Sequence, residues 1–145
     1  MTEGDLADLL PLMRGYCDFY SSTPTDEALV TMSRALIVDP EREGVQFIAR
    51  DDSGEAVGFA TLFWTWETNT GGRIGVMNDL FVASQSRGRG AAEALIAACR
   101  ERCRERGALR LDWVTANDNL RAQAVYDRVG GTRDDHWVEY SLDVE

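Results

Sequence analysis

The chain contains no lysine: all 15 of its basic residues are arginine, in 145 residues. This excludes a Walker-type phosphate loop, which needs a Gly-Lys-Ser/Thr step, and any Schiff-base lysine. Histidine and cysteine are almost as scarce. His136 stands alone, and Cys17, Cys99 and Cys103 make an odd set with no CxxC spacing. A zinc site is therefore not expected. The thiol chemistry left open is a cysteine nucleophile with a histidine base. No run of 18 apolar residues exists, so no membrane-spanning helix is predicted. Met1-Thr2-Glu3-Gly4-Asp5 is acidic and lacks the basic and apolar regions of a signal peptide, so the expected address is the cytoplasm. Net positive charge is missing too. A formal charge of −10 works against nucleic-acid binding, which needs a basic stripe. It suits a cationic partner such as an amine, and equally suits solubility alone.

What is present is a core. The apolar fraction is 44%, with four tryptophans, and the length fits a single domain spanning 1–145. Leu6, Leu9, Leu10, Met13, Tyr16, Cys17 and Tyr20 recur at helical spacing over residues 5–20. Thr25 can cap a second helix over 26–38, ended by Asp39-Pro40. The period then changes. Val45–Ala49, Val57–Trp66 and Ile74–Val82 read as three strands joined by the turns Asp52-Ser53-Gly54-Glu55 and Asn69-Thr70-Gly71-Gly72. Residues 88–106 return to helix, with Ala92, Leu95, Ile96, Cys99 and Cys103 on one stripe and Gly107 at its end. Leu109–Thr115 alternates as a fourth strand. A short helix over 119–129 and a last strand over His136–Val144 complete the order ααβββαβαβ. The unit through 74–115 should be a right-handed parallel crossover. The class is α/β (α+β in some schemes), with a mixed, mostly antiparallel sheet flanked by helices.

The informative segment is Arg87-Gly88-Arg89-Gly90-Ala91-Ala92, where a strand hands over to a helix. The first N–H groups of a helix lack internal partners and carry the positive end of its dipole. A phosphate suits that end, and glycine lets the backbone approach it closely. Two arginines here reverse the sign of an acidic chain. A dinucleotide fingerprint would need a third glycine placed where this chain has Ala92 and Glu93. Gly-x-Gly alone is also the mark of a tight turn with no ligand.

Arg87-x-x-Gly90-x-Ala92 resembles the (Gln/Arg)-x-x-Gly-x-(Gly/Ala) signature of the GCN5-related N-acetyltransferase (GNAT) superfamily. Asn78-Asp79-Leu80-Phe81-Val82 is similar to the strand that precedes it there, and Asn119-x-x-Ala122-x-Ala124-x-Tyr126 followed by Gly130 is similar to the second motif. The resemblance covers residues 57–140 well and the first 50 loosely. It implies the GNAT fold, with central strands that splay, and a strand before the first helix for which the residues ahead of Asp5 leave no room. It also implies acetyl-CoA as co-substrate, no metal, and direct acetyl transfer to a primary amine.

The same resemblance implies the site. The pyrophosphate would lie on Arg87, Gly88, Arg89, Gly90, Ala91 and Ala92. The pantetheine would pair with main-chain groups of Leu80, Phe81 and Val82, redirected by a bulge. One such N–H would stabilise the oxyanion. Asn119 would hold the pantetheine and Tyr126 would act as general acid toward the CoA thiolate, though Tyr126 at helical spacing also reads as a core aromatic. A base must deprotonate the amine; Asp79 is the first candidate, before Glu67 and Asp112, and each also reads as a solvated carboxylate. Asn78 stands where some polyamine-acetylating relatives have a carboxylate. Tyr16, Phe19 and Tyr20 would form one wall of the acceptor pocket, aromatic faces being suited to ammonium groups and equally to cores.

Three functions follow for comparison. The first is acetylation of a small-molecule amine. The second is acetylation of a protein or peptide amine. The third, of another class, is a non-catalytic acyl-CoA sensor, which the Asn119–Tyr126 pair disfavours. Many GNAT relatives dimerise through C-terminal strands, so the resemblance allows a homodimer.

Overall fold

Leu6, Leu9, Leu12, Met13 and Cys17 form the buried stripe of α1 (Leu6–Phe19). In the computed structural model, which describes residues 1–144, a 3-10 turn over Glu3–Asp5 precedes this helix, and no strand does. The helix α2 (Asp26–Val38) starts where predicted: the Thr25 hydroxyl accepts from the Ala28 N–H at 3.2 Å, satisfying one of the donors a helix start leaves open. Leu29, Ser33 and Leu36 face inward, and an Arg14–Asp26 ion pair ties α1 to α2.

Three antiparallel strands follow: β1 (Gly44–Arg50), β2 (Ala56–Glu67) and β3 (Gly72–Val82). The β1–β2 turn is held by Asp51, whose carboxylate accepts from the Ser53 N–H, the Ser53 hydroxyl and the Glu55 N–H. The α3 helix (Ala91–Glu105) then crosses to β4 (Leu111–Asp112), which pairs parallel to β3 in the sheet order β1-β2-β3-β4. The predicted crossover is therefore present. At the end of α3, Gly107 is left-handed and two bonds close the cap, Gly107 N–H to Arg104 C=O and Ala108 N–H to Cys103 C=O.

The two faces of the sheet take different helices. Phe59 and Phe81, cross-strand partners, meet Tyr16 and Gly15 of α1. On the other face Gly75 meets Cys103 of α3, which also buries Leu95, Ile96 and Cys99. Gly75 has no room for a Cβ: one would run into the Cys103 sulfur. Trp64 is core, its indole N–H donating to the Pro40 carbonyl at 2.9 Å.

Met1–Val114 forms one compact unit and the residues from Thr115 onward a second. The second holds α4 (Leu120–Arg128). Two strand expectations need correction. The fourth strand, expected over Leu109–Thr115, is regular only at Leu111 and Asp112, preceded by a bond from the Leu109 N–H to the Arg73 carbonyl. His136–Val144, expected as a strand, has none. Alternation of apolar residues marks a segment that can pair, but a strand exists only where a neighbour supplies the matching N–H and C=O groups.

Candidate active site

The β2–β3 ladder runs in register until Thr61, which faces Asp79, and Leu62, which faces Met77. Asn78 is the extra residue, so a β-bulge sits there and re-aims the side chains on either side. The bulge was expected nearer Phe81 and Val82. Its position turns the Asp79 side chain toward α1 and leaves Asn78 exposed. Asp79 is 7% exposed, and burial raises its carboxyl above the ordinary range, against hydrogen bonds from Thr61, Tyr16 and Asn78 that favour the charged form. The Asn78 amide donates to it at 3.0 Å. Burial, with the Asp79 charge beside it, pushes the Tyr16 phenol up. Tyr16 thus remains a proton donor to the carboxylate.

On its other edge β3 meets β4 at two positions only, Gly75 with Leu111 and Val76 with Asp112. From Met77 to Val82, through Leu80 and Phe81, no strand pairs with that edge among the described residues. This is the splay the resemblance implied, and it opens beside the bulge. An amide chain could add there as a strand does.

Beyond Val82 the chain makes a 3-10 turn over Ser84–Ser86 and reaches the glycine pair. Gly88 and Gly90 have φ of 75° and 84°, values side chains rarely tolerate. A Cβ on either would meet nothing within 4 Å, so the backbone here borders open space. Gly90 caps α3 without a side chain, and the first helical bond is Ala94 N–H to Gly90 C=O. The N–H groups of Ala91 and Ala92 lie ahead of that bond, at the positive end of the helix dipole. Donors, a glycine cradle and open space fit a pyrophosphate. The arginines do more than add charge. Arg87 Nε donates to the Val82 carbonyl at 2.9 Å, bracing the turn. Hydrogen bonds from Ser53 hold Asp51 below the usual carboxylate range, and Arg89 adds to that effect.

Other candidates resolve differently. Phe19 and Tyr20 are exposed at the end of α1 and stack in a chain with Tyr16, at ring distances of 5.0 and 4.9 Å. Glu67 and Asp112 are both engaged by Arg110. Cys99 and Cys103 are buried free thiols pushed up to about 12 and about 11 by burial; such groups are poor nucleophiles. Thr61 and Gln46 escaped the sequence reading. The only hint they offered was a polar residue inside an otherwise apolar strand.

In the second unit Asn119 caps α4, its side-chain oxygen accepting from the Ala122 N–H at 3.2 Å. Tyr126 lies on the second turn of that helix, and its carbonyl accepts from the Gly131 N–H at 2.8 Å.

A splayed mixed sheet, a bulged strand and a glycine cradle at a helix start together describe an acyl-CoA-dependent acyltransferase. The chain belongs to the acetyltransferase (GNAT) family, whose profile matches residues 10–131. It is an N-acetyltransferase that depends on acyl-CoA. It is similar to the uncharacterized N-acetyltransferase YhfO of Bacillus subtilis, 31% identical over 97% of this chain and 92% of that one. It is also similar to the D-amino-acid N-acetyltransferase HPA3 of Saccharomyces cerevisiae, 31% identical over 76% of this chain and 69% of that one. Among solved structures, a probable acetyltransferase superposes with a TM-score of 0.85 at 27% identity, covering 100% of this chain and 95% of the other.

Proposed function

We propose that the chain acts as one domain acetylating the primary amine of a small molecule, with Asp79 as general base and Tyr126 as general acid. The observation that carries this reading is the buried Asp79 carboxyl at the bulge, beside the open edge of β3. An aliphatic amine has a pKa of about 10 and must lose a proton before it can attack. A carboxyl raised by burial takes that proton, directly or through a water, better than a surface carboxylate would. The free amine then attacks the thioester carbonyl, whose developing charge a main-chain N–H of the Leu80–Val82 edge would meet. Collapse expels the CoA thiolate, and Tyr126 gives it a proton. Ala91, Ala92 and the Gly88–Gly90 cradle would hold the pyrophosphate, with Arg87 and Arg89 supplying charge and Asn119 holding the pantetheine through its amide nitrogen.

The acceptor would enter along Tyr16, Phe19 and Tyr20, with Asn78 at its reacting end. The contiguous rings of Tyr16, Phe19 and Tyr20 suit an ammonium group, and the name of the yeast relative, with an amino acid as acceptor, supports a small amine. Among the described residues no helix is long and apolar enough to cross a membrane. The test is CoA release from acetyl-CoA over a panel of free amino acids, polyamines, aminoglycosides and N-terminal peptides. Turnover on at least one small amine is expected. Turnover on peptides alone would replace the acceptor class, and binding of acetyl-CoA without turnover on any amine would overturn catalysis.

A further inference from the structure

Gln46, Thr61 and Asp79 stand directly opposite one another on β1, β2 and β3, as the registers Gln46–Thr61 and Thr61–Asp79 require. They are 2%, 0% and 7% exposed. Three polar side chains in one buried row across a sheet need a reason, because each must be satisfied away from water. The Gln46 amide nitrogen donates to the Thr61 hydroxyl oxygen at 3.1 Å, and Thr61 in turn faces Asp79 across the β2–β3 pair, its hydroxyl acting on the carboxyl in the direction of a donor.

The direction of the row follows from its end. A carboxylate only accepts hydrogen bonds, so the Thr61 hydroxyl must spend its single hydrogen on Asp79. The Thr61 oxygen can then only accept, which turns the Gln46 nitrogen toward it. That orientation leaves the Gln46 side-chain oxygen buried with no hydrogen-bond partner, a destabilising arrangement that an apolar residue at position 46 would avoid. The row is therefore not explained by stability. It is explained if its purpose lies at Asp79.

We propose that Thr61 is a positioning residue that keeps Asp79 ionised and aimed, and that Gln46 reinforces it by polarising the Thr61 hydroxyl. The proposal rests on the reading of Asp79 as the general base. A base must be charged before the amine arrives, and burial alone opposes that charge. The groups acting on Asp79 from the elements packed around it are Thr61 on β2, Tyr16 on α1 and Asn78 on β3 itself. All three are neutral donors. The carboxylate is thus held by oriented hydrogen bonds and not by a counter-charge, which leaves it basic enough to take a proton and able to lose it again.

The test uses Thr61→Val, which keeps the shape and removes the hydroxyl, against Thr61→Ser, which keeps the hydroxyl. Two quantities are read in each full-length variant. One is the Asp79 carboxyl pKa, from carbon-13 NMR of labelled aspartate assigned with Asp79→Asn. The other is the acid limb of kcat/KM against pH, with acetyl-CoA and an amine that the panel shows to be acetylated. Thr61→Val should raise the carboxyl pKa by about one pH unit and carry the acid limb with it, since losing a donor disfavours the charged form. Thr61→Ser should restore both, and Gln46→Met should move both in the same direction by less. An unmoved carboxyl pKa in Thr61→Val, or an equal shift in Thr61→Ser, overturns the proposal and leaves Thr61 a packing residue. A moved carboxyl pKa with an unmoved acid limb supports the role of Thr61 and removes Asp79 as the base. Should Thr61→Val fail to fold, Gln46→Met decides: a wild-type carboxyl pKa there sinks the row.

Discussion

Gly90 and Gly107 make a matched pair for testing the phosphate cradle. Both are left-handed, at φ of 84° and 69°, and a Cβ on either meets nothing within 4 Å. They flank the same helix, one at its start and one just beyond its end. An alanine at either must hold an L residue in the left-handed region, at about 1–2 kcal/mol, offset by roughly 0.4–1 kcal/mol from a stiffer unfolded chain. The net loss is on the order of 1 kcal/mol for each variant, a fall in Tm of a few degrees for a domain of this size. Stability therefore cannot tell them apart, but binding can. Strain at Gly90 tilts the N–H groups of Ala91 and Ala92 and puts a methyl where the pyrophosphate would lie. Losing one charge-assisted hydrogen bond is worth about 1.5–3 kcal/mol, or roughly ten- to a hundredfold in Kd. Isothermal titration with CoA, well below the Tm of either variant, should show that weakening for Gly90→Ala and wild-type affinity for Gly107→Ala. With S-acetylpantetheine, which lacks the pyrophosphate, the difference between the two should vanish in kcat/KM. Equal CoA affinity in the two variants would refute the cradle.

Three further outcomes follow. Tyr126→Phe should lower kcat by about 10²–10⁴, in line with loss of a general acid, with a much smaller change in KM for acetyl-CoA; unchanged steady-state turnover removes Tyr126 from the mechanism. Asp79→Asn should lower kcat/KM by a similar factor while stabilising the fold at neutral pH. The sign follows from the raised carboxyl pKa: the wild type holds its full contribution below the unfolded value of 3.8 and loses it as pH rises through the folded value. The Tm advantage of Asp79→Asn should thus grow with pH above about 4, and a constant difference across pH would contradict the burial argument. Gly75→Ala should cost about 1–3 kcal/mol by overpacking, because its methyl would meet the Cys103 sulfur and, at 2.9 Å, a Leu62 methyl. Denaturant unfolding measures it, and a neutral result would mean that α3 can move off the sheet there.

The sequence by itself determined what local physics controls. Thr25 as a cap, the turn between β1 and β2, Gly107 past α3 and the glycine pair before it were all legible, while the Asp51 carboxylate that holds that turn was not. Each answers to neighbours within a few residues, where backbone conformation and the nearest hydrogen bonds decide the outcome. Helical period placed α1, α2 and α3 for the same reason. The cradle was legible as a motif, and Asp79 as a carboxylate on the right strand. Only the tertiary structure decided what depends on partners far along the chain. It put the bulge at Asn78, shortened β4 to two residues and so opened the β3 edge, and left 136–144 without a strand. It also drew Gln46, Thr61 and Asp79 into one row. A strand's pairing is set by the groups its neighbour offers, and a buried carboxyl's charge by donors that only the sheet brings beside it. Neither is written in the spacing of residues along one segment.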